Sequence, residues 1–251
     1  MTTAIIVQAR MTSTRLPGKV LLPIAGRPML SYLLERLRRV RMADRIIIAT
    51  TTNATDSPIV EFCSKEGVDC TRGSEPDVLA RYFEAASHFK ADTVVRVTSD
   101  CPLIDPQLID HAITTFTEAA GDYDYASNMI AASWPYGMAV EVFSAQALNT
   151  AHAEAKEDAE REHVTPFIYW RPGRYRIKSL TMLPDLSHHR WTVDTPEDFE
   201  LVRRIFESLY PEKPDFTMTD VLALLDEHPT WELINCHIKQ KIVTSADKET
   251  Q

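Results

Sequence analysis

The sequence predicts an α/β fold: a Rossmann-like, mostly parallel sheet with helices on both faces. Two observations lead to it. Short apolar runs rich in β-branched residues alternate with amphipathic stretches of helical period through the first hundred residues. The chain has 251 residues, of which 44% are hydrophobic and 25% charged, enough for one sizeable globular core. Alternation of this kind gives parallel strands joined by crossover helices.

The elements of the first half can be assigned in order. Buried strands are predicted at residues 3–9, 45–51, 68–71 and 92–98. Amphipathic helices are predicted between them, at residues 28–40, 56–66 and 76–89. Gly67 is expected to end the second helix, because glycine readily adopts the left-handed conformation that closes a helix. Ligands of open parallel sheets bind at the carboxyl ends of the strands, so the loops that follow these strands matter most.

The pattern changes at residue 122, where short extended pieces replace the regular alternation. We predict a small α+β insertion over about residues 122–182, in which residues 138–143 could form core or a dimer face. A short strand at 190–193 and helices at 196–209 and 220–227 are expected to complete the core. One domain over residues 1–238 is predicted, followed by a flexible C-terminal tail over 239–251.

Charge and composition exclude several classes of protein. The formal net charge is −9, without a block of lysine and arginine, so no nucleic-acid partner is expected. No apolar run approaches the ~20 residues of a membrane span, and no signal peptide is evident, so we expect no membrane partner and a cytoplasmic protein. The four cysteines lack metal-ligand spacing and are predicted to be reduced, mostly buried thiols.

The loop after the first strand is the first candidate site. Residues 10–19 contain three cations, three hydroxyl side chains and one glycine, a set suited to a polyphosphate. Each cation at ~4 Å from a phosphate charge contributes roughly 1 kcal/mol in water and ~4 kcal/mol when partly buried. The loop matches neither the Walker motif nor the G-x-G-x-x-G motif. A solvated basic loop without a ligand remains the alternative.

Two aspartates are candidate magnesium ligands. Asp100 and Asp194 each follow a predicted strand, and Mg²⁺ commonly takes one or two carboxylates together with phosphate oxygens. Both could instead cap a helix, although Asp105 fits the cap of the helix near Pro106 better than Asp100 does.

Weaker signals suggest where the rest of a substrate would bind. Residues 71–78 join a strand to a helix and contain Gly73, where the backbone could approach a ribose or a base. A looser polar set around the insertion suits a hydroxylated substrate, although each member alone could be ordinary surface: Asn128, Tyr136, Glu141 and His163.

The motifs in combination resemble a known family. The loop reads A-R-M-T-S-T-R-L-P-G-K and is followed by I-A-G-R-P-M-L. Further along come R-G-S-E-P-D-V-L-A-R-Y, S-D-C-P-L-I-D, E-H-V-T-P and T-V-D-T-P-E-D. Over residues 3–209 the chain resembles the CMP-sugar synthetases, cytidylyltransferases that activate 3-deoxy-manno-octulosonate and acylneuraminate. The resemblance is strongest to the SpsF-type branch of spore-coat polysaccharide biosynthesis.

The resemblance implies a nucleotide-diphospho-sugar transferase fold, a homodimer, and the use of CTP and Mg²⁺. By matching position, it places Arg10, Ser13, Arg15 and Lys19 on the triphosphate, and Asp100 and Asp194 on the metal. It brings cytidine to the Ala9 backbone and to the Arg72-Gly73 segment, and it makes Arg10, Lys19 and Asp100 the catalytic group. Thr98-Ser99 stands where the octulosonate enzymes have Gln-Gly, so the acceptor pocket differs.

The predicted reaction is transfer of CMP from CTP to a sugar acid with release of pyrophosphate, in cell-surface or spore-coat polysaccharide biosynthesis. One alternative is a metal-dependent glycosyltransferase that consumes a sugar nucleotide, against which the three-cation loop argues. Another is a non-catalytic nucleotide-binding module, which would bind CTP without turnover.

Overall fold

A seven-stranded sheet forms the centre of the molecule in the computed structural model, which describes residues 1–118, 121–171 and 173–240. The strand order is β5-β4-β1-β6-β8-β7-β9, with β2 and β3 in a separate two-stranded ribbon. The strands are β1 (Thr3–Gln8), β2 (Pro23–Ile24), β3 (Arg27–Pro28), β4 (Arg45–Thr51), β5 (Asp69–Gly73), β6 (Thr93–Thr98), β7 (Tyr125–Ser127), β8 (Glu141–Ser144) and β9 (Ile177–Ser179).

Helices cover both faces of this sheet, as predicted. They are α1 (Met29–Leu37), α2 (Ser57–Glu66), α3 (Val78–His88), α4 (Pro106–Glu118), α5 (Ala145–Glu154), α6 (Asp158–His163), α7 (Pro166–Tyr169), α8 (Pro196–Leu209) and α9 (Met218–Glu227). Short 3₁₀ turns lie at Lys19–Leu21, Ala54–Asp56 and Pro229–Ile234. Gly67 ends α2 in the left-handed conformation with φ 63°, as expected. No helix of the described residues is long and apolar enough to cross a membrane.

The strands β5, β4, β1 and β6 are mutually parallel. Their carboxyl ends therefore meet at one edge of the sheet. That edge brings together the loop after β1, the end of β5 and the loop after β6. The residues singled out after each of these strands lie in three different parts of the chain, and the parallel topology alone makes them neighbours.

The predicted insertion extends the main sheet. Strand β8 pairs antiparallel with β6, with Val142 opposite Val95, and β7 then pairs antiparallel with β8. Strand β9 returns parallel to β7. Residues 138–143 belong to the core, because the side chains of Met138, Val140 and Val142 are fully buried. These three residues accordingly form core in the single chain.

The strand expected at residues 190–193 is wrong. Arg190 makes only an isolated bridge with Tyr136, through bonds from the Tyr136 amide to the His189 carbonyl (2.9 Å) and from the Trp191 amide to the Tyr136 carbonyl (2.6 Å). Beyond the bridge the chain turns toward the loop after β6, where the Val193 amide donates to the Asp100 carbonyl at 2.8 Å. Sequence alternation alone cannot distinguish an apolar segment that crosses a site from one that joins a sheet.

Alternate residues of the strands face two separate cores. Ile5, Val7 and Ile48 point to the side covered by α1, α2, α4, α8 and α9. Ala4, Ile6 and their neighbours point to the side covered by α3, α5 and α7. Continuous apolar strands of this kind are typical of a parallel sheet that is buried on both faces.

The expectation of mostly buried cysteines needs correction. Cys63 and Cys101 are buried, but Cys70 is only half-buried and Cys236 is exposed; all four are free thiols. Of the predicted tail, residues 241–251 lie outside the described residues. Gln240 is described, and its amide oxygen accepts a hydrogen bond from Arg190 at 2.6 Å.

Candidate active site

The loop after β1 is fixed to the body of the protein near its beginning, and its end is bonded back to that beginning. The Met11 amide donates to the Asp56 carboxylate at 2.7 Å, and the Gly18 amide donates to the Met11 carbonyl at 2.8 Å. Gly18 has φ 70°, a left-handed conformation that favours glycine. Asp56 is fully buried and also accepts from the Thr51 hydroxyl. The cationic loop is therefore held in one shape before any ligand binds.

Lys19 connects the two predicted metal ligands. Its ammonium lies 3.1 Å from an Asp100 oxygen and 2.9 Å from an Asp194 oxygen. It also donates to the Val193 carbonyl at 2.7 Å, and only 8% of the residue is exposed. Three segments that are far apart in sequence thus converge on a single nitrogen. The structure brings these three predicted residues together.

The charges of this cluster depend on one another. Burial lowers the pKa of Lys19, but the carboxylates of Asp100 and Asp194 raise it by more, so its pKa lies above the ordinary value. Burial raises the pKa of Asp100, but the Lys19 ammonium together with hydrogen bonds from Thr98 and the backbone outweighs this effect and holds that pKa below its usual range. The lysine is therefore cationic and Asp100 anionic at neutral pH.

Asp194 is not a helix cap. The cap of α8 is Thr195, whose hydroxyl accepts from the Asp198 amide, while the Asp198 carboxylate accepts from the Thr195 amide. Besides Lys19, Asp194 contacts Arg15 at 3.0 Å and Arg190 at 3.3 Å. Its carboxylate therefore faces the loop cations and is available to a ligand.

A buried network fixes the position of Asp194. Asp198 is fully buried and receives two hydrogen bonds of 2.8 Å from Arg190, one from Nε and one from a terminal nitrogen. It also accepts from the Asp194 amide at 3.0 Å and from the Asn235 side chain at 2.9 Å. Bidentate pairs of arginine and carboxylate are strong and directional. The network fixes the backbone at Asp194.

The other loop cations lie at the rim, where they already have acidic partners. Arg10 pairs with Glu75 at 3.2 Å, and 43% of its side chain is exposed. The Arg15 side chain is 45% exposed. Ser13 lines the same cleft. Exposed ion pairs contribute little to stability, so these arginines can exchange their carboxylate partners for phosphate at small cost.

A cleft of about 1300 Å³ opens above these groups. Tyr136, Glu141 and His163 of the predicted polar set line this cleft. All three come from the part of the chain that follows β6, and we call them the far wall of the cleft. Glu141 is buried and accepts from Arg96, from Tyr125 at 2.6 Å and from Thr165 at 2.5 Å.

Asn128 does not line the cleft. It directly follows β7 and is buried, with 3% of the residue exposed. Its amide nitrogen donates to the Met138 carbonyl at 2.7 Å, and its amide oxygen accepts from the Val140 amide at 2.9 Å. Asn128 therefore holds the backbone of residues 138–140. Because both polar atoms of its side chain already bond to that backbone, the structure does not support the substrate contact predicted for it.

The Arg72-Gly73 segment also differs from the expectation. Arg72 donates to the carbonyls of Thr51 (2.8 Å) and Asn53 (2.9 Å) and is not among the residues that line the cleft. Gly73 lies behind the cleft wall, against the side chain of Arg81. Ala9 does line the cleft, and its amide donates to the Ala49 carbonyl at 3.3 Å.

Sequence reasoning missed four residues around the site: Asp56, Arg81, Arg190 and Asp198. Asp198 carries a detectable signal, because T-P-E-D has the spacing of a capping box. Arg81 donates to the Ala49 carbonyl, 32 residues away, and Asp56 and Arg190 each combine a partner within eight residues with a distant one, Met11 and Gln240. No local pattern reveals these distant pairings.

The donor set at Asp100 and Asp194 fits Mg²⁺. Carboxylate oxygens are the ligands this ion prefers, and two of them with phosphate oxygens and water form a common coordination sphere. No cluster of three or more acidic, histidine or cysteine side chains suited to a metal occurs among residues 1–118, 121–171 and 173–240. A metal held by these two carboxylates would complete its shell with phosphate oxygens and water.

We expect Asp56→Ala to lower the free energy of unfolding by about 1–3 kcal/mol, because the Met11 amide and the Thr51 hydroxyl lose a buried acceptor. The KM for nucleotide should also rise, since the loop loses its anchor. Denaturant titration and initial rates measure the two effects. Asp105→Ala is the matched control, because Asp105 is buried and accepts from the backbone amides of Gln107 and Met218, each at 2.9 Å, outside the cleft. An unchanged KM in Asp56→Ala would contradict the anchoring role.

Comparison with known proteins identifies related chains. A family model described as cytidylyltransferase matches residues 4–240. The spore coat polysaccharide biosynthesis protein SpsF of Bacillus subtilis is 35% identical over 232 residues, 89% of this chain and 94% of that protein. A cytidylyltransferase structure from Leptospira borgpetersenii superposes with TM-score 0.89 at 30% identity, covering 97% of this chain and all of that one. The fold is shared with a structure of CMP:2-keto-3-deoxy-manno-octonic acid synthetase complexed with CTP. That structure superposes with TM-score 0.63 at 18% identity, covering 82% of this chain and 99% of that one.

Proposed function

The chain belongs to the cytidylyltransferase family, and from that premise we propose that it transfers CMP from CTP to a sugar acid, with Mg²⁺ as cofactor and release of pyrophosphate. Family membership makes it a nucleotidyltransferase that uses CTP. The sugar acid, the metal and a homodimeric state are the parts that we propose. The name of the SpsF relative supports a role in polysaccharide biosynthesis.

One observation supports this function above the others: the Lys19 ammonium lies between the carboxylates of Asp100 and Asp194, directly beyond a loop with two further cations. A triphosphate carries about four negative charges, and the interaction per cation at a partly buried site is roughly 4 kcal/mol. A sugar nucleotide carries only a diphosphate and leaves no free pyrophosphate to be held. The cationic loop therefore favours the cytidylyltransferase over the glycosyltransferase alternative.

The proposed reaction is an in-line displacement at the α-phosphorus of CTP. The acceptor hydroxyl oxygen forms the new bond to phosphorus, the bond from that phosphorus to the β-bridging oxygen breaks, and the hydroxyl proton passes to solvent. Negative charge accumulates on the departing pyrophosphate. Lys19 and Arg10, with Arg15, are placed to neutralise that charge, and Ser13 donates a hydroxyl to the same phosphates. Phosphoryl transfer depends mainly on such positioning and charge neutralisation.

Asp100 and Asp194 are the residues that would hold Mg²⁺. When bound, the ion supplies charge neutralisation at phosphate oxygens and lowers the pKa of the attacking hydroxyl. The chain's own contribution is to fix both carboxylates in advance: Lys19 holds the two together, and the Arg190–Asp198 pair fixes the Asp194 backbone. Preorganised groups need not rearrange at the moment of reaction.

The acceptor would bind against the far wall of the cleft. Tyr136 and His163 line this wall with Glu141, whose carboxylate is held by three partners. Hydroxyl, imidazole and carboxylate groups can form the hydrogen bonds that a polyhydroxylated sugar requires. Thr98-Ser99 lies at the strand end next to them, where the resemblance places Gln-Gly in the octulosonate enzymes, so we do not carry the acceptor of those enzymes over to this pocket.

The test is a pyrophosphate-release screen of CTP, UTP, ATP and GTP against a panel of 2-keto sugar acids. We expect release with CTP and at least one sugar acid, dependent on Mg²⁺. Asp194→Asn is the companion variant and should lose at least about tenfold in rate, since a neutral amide is a poorer metal ligand and a poorer partner for Lys19. Tight binding of CTP without turnover would instead support a non-catalytic module, and turnover of a sugar nucleotide would support a glycosyltransferase.

A further inference from the structure

Arg81 is a buried cation in the wall of the cleft for which the proposed chemistry has no task. It lies on α3, is only 3% exposed, and lines the cleft beside Ala9 and Glu75. Burying a guanidinium is costly unless its charge and its donors are satisfied. The arrangement of its partners shows which kind of group would satisfy it.

The protein itself satisfies only one edge of the Arg81 guanidinium. Nη1 donates to the Ala49 carbonyl at 2.9 Å, whereas Nε is enclosed and has no hydrogen-bond partner. No carboxylate of a described residue contacts the group, although Asp56 and Glu75 are near enough to act on its charge. Two half-buried arginines that line or border the cleft differ, because Arg96 pairs with Glu141 and Arg190 pairs with Asp198.

Arg36 shows that an enclosed guanidinium nitrogen is not by itself a ligand site. It too has a terminal nitrogen without a partner, but its guanidinium carbon lies 4.0 Å from the centroid of the Phe216 ring. Arg36 is not among the residues that line the cleft. Arg81 has no aromatic ring beneath it among the described residues, and it does line the cleft, so a ligand in the cleft can supply the missing partner.

Gly73 provides the space that Arg81 occupies. A Cβ atom at position 73 would lie 2.8 Å from Cγ of Arg81 and 2.9 Å from a carboxylate oxygen of Glu84. Any larger residue at position 73 would push the arginine stem out of place. The glycine therefore affects the site through Arg81, without direct contact with the cleft.

The Ala49 carbonyl shows which end of the cleft Arg81 occupies. This oxygen accepts from both the Arg81 guanidinium (2.9 Å) and the Ala9 amide (3.3 Å). Arg81 therefore lies beside Ala9, which directly precedes the cationic loop that ends at Lys19. If the triphosphate lies along the loop toward Lys19, the nucleoside lies toward Ala9 and Arg81. The far wall of the cleft, where we place the acceptor, includes Tyr136 and Glu141 and belongs to the part of the chain that follows β6.

We propose that Arg81 recognises the base of the nucleotide, donating from Nε and Nη2 to O2 and N3 of cytosine. With Nη1 used on Ala49, these two donors form the remaining side-on edge of the guanidinium, and such an edge binds two adjacent acceptors. Cytosine presents O2 and N3 as acceptors side by side. Uracil presents O2 next to an N3–H donor, which opposes an arginine donor. The inference rests on the proposed function and assigns base selection to this side chain.

Nucleotide analogues test the proposal on the unmodified protein. Calorimetry is run with CTP, UTP, 3-deaza-CTP, which lacks the N3 acceptor, and pyrimidin-2-one riboside triphosphate, which keeps O2 and N3 but lacks the amino group. We expect 3-deaza-CTP and UTP to bind roughly 5- to 150-fold more weakly than CTP, the range for loss of a bidentate base contact. The pyrimidin-2-one analogue should lose less than 3-deaza-CTP. Equal binding of CTP and 3-deaza-CTP would overturn the proposal.

The variant Arg81→Met assigns the effect to the side chain. We expect it to bind CTP and 3-deaza-CTP equally, because the contact that separates them is gone. Arg72→Met is the matched control, since Arg72 contacts only backbone carbonyls outside the cleft, and it should keep the preference of the parent protein. A variant at position 81 that still prefers CTP over 3-deaza-CTP, or that changes only the KM for the sugar acid, would show that Arg81 does not read the base.

The outcomes separate this inference from the proposed function. If the protein turns over CTP but does not distinguish it from 3-deaza-CTP, only the role of Arg81 is wrong. If it binds none of the four nucleotides, both the function and the role of Arg81 are overturned.

Discussion

Lys19→Met is expected to lower kcat by about 10²–10³-fold, the loss that follows removal of one group that stabilises transition-state charge. In the proposed mechanism the side chain acts on the departing pyrophosphate, and methionine replaces its length without its charge. Single-turnover release of pyrophosphate from CTP, at saturating acceptor, measures the chemical step directly. A variant that keeps near-normal kcat would remove Lys19 from the mechanism.

The same substitution should also affect folding. The structure buries Lys19 between Asp100 and Asp194. Removing it takes the Lys19 cation from Asp100 and leaves Asp194 with Arg15 and Arg190 alone, and breaking such a buried arrangement costs about 3–5 kcal/mol. Because a divalent cation can take the place of the lost charge, Mg²⁺ should raise the Tm of Lys19→Met more than that of the parent protein.

Arg15→Met separates the contribution of burial from that of charge. Arg15 also pairs with Asp194, at 3.0 Å, but 45% of its side chain is exposed. Exposed pairs are worth about 0–1 kcal/mol, so this variant should unfold close to the parent protein and respond to Mg²⁺ in the same way. If both variants lose equal stability, burial of Lys19 is not what makes the difference.

Local patterns predict the elements of this fold well. Runs of β-branched residues locate β1, β4 and β6, and leucines at spacings of three and four locate α1, because these periods reflect which face of an element is buried. The general rule that parallel strands end at one edge then places Asp100 near the cationic loop before any coordinates are known.

Long-range pairing is what the sequence does not reveal. Arg190 lies in a segment that alternates like a strand, yet its role depends on Asp198 and Gln240, the latter fifty residues away. Asn128 is polar and lies near the insertion, and its side chain is used entirely on backbone. No local period encodes which polar side chain meets another across the fold, so these roles emerge only when the strands are assembled.

The backbone contact at Gly137 leads to the other large expected effect. We expect Gly137→Ala to lower the free energy of unfolding by at least about 3 kcal/mol, because a Cβ there would lie 2.5 Å from the Thr192 amide nitrogen and 2.6 Å from the Trp191 carbonyl carbon. Both contacts are with backbone, so no side-chain rotation can relieve them. The positive φ of 110° adds strain for any residue with a side chain.

The displaced segment leads directly to Asp194, so activity should fall with stability. Tyr136 and Arg190 form the bridge next to Gly137, and a shift of that bridge moves the Asp194 carboxylate relative to Lys19. Gly67→Ala is the control: it also has a positive φ, of 63°, but no atom within 4 Å of the added Cβ, and it should cost only about 1 kcal/mol without loss of turnover. Denaturant unfolding and pyrophosphate release on both variants decide the matter. If Gly137→Ala and Gly67→Ala lower the free energy of unfolding equally, the backbone at residues 191–192 can move away from the added Cβ atom. Contact with Gly137 would then not hold this part of the cleft in place.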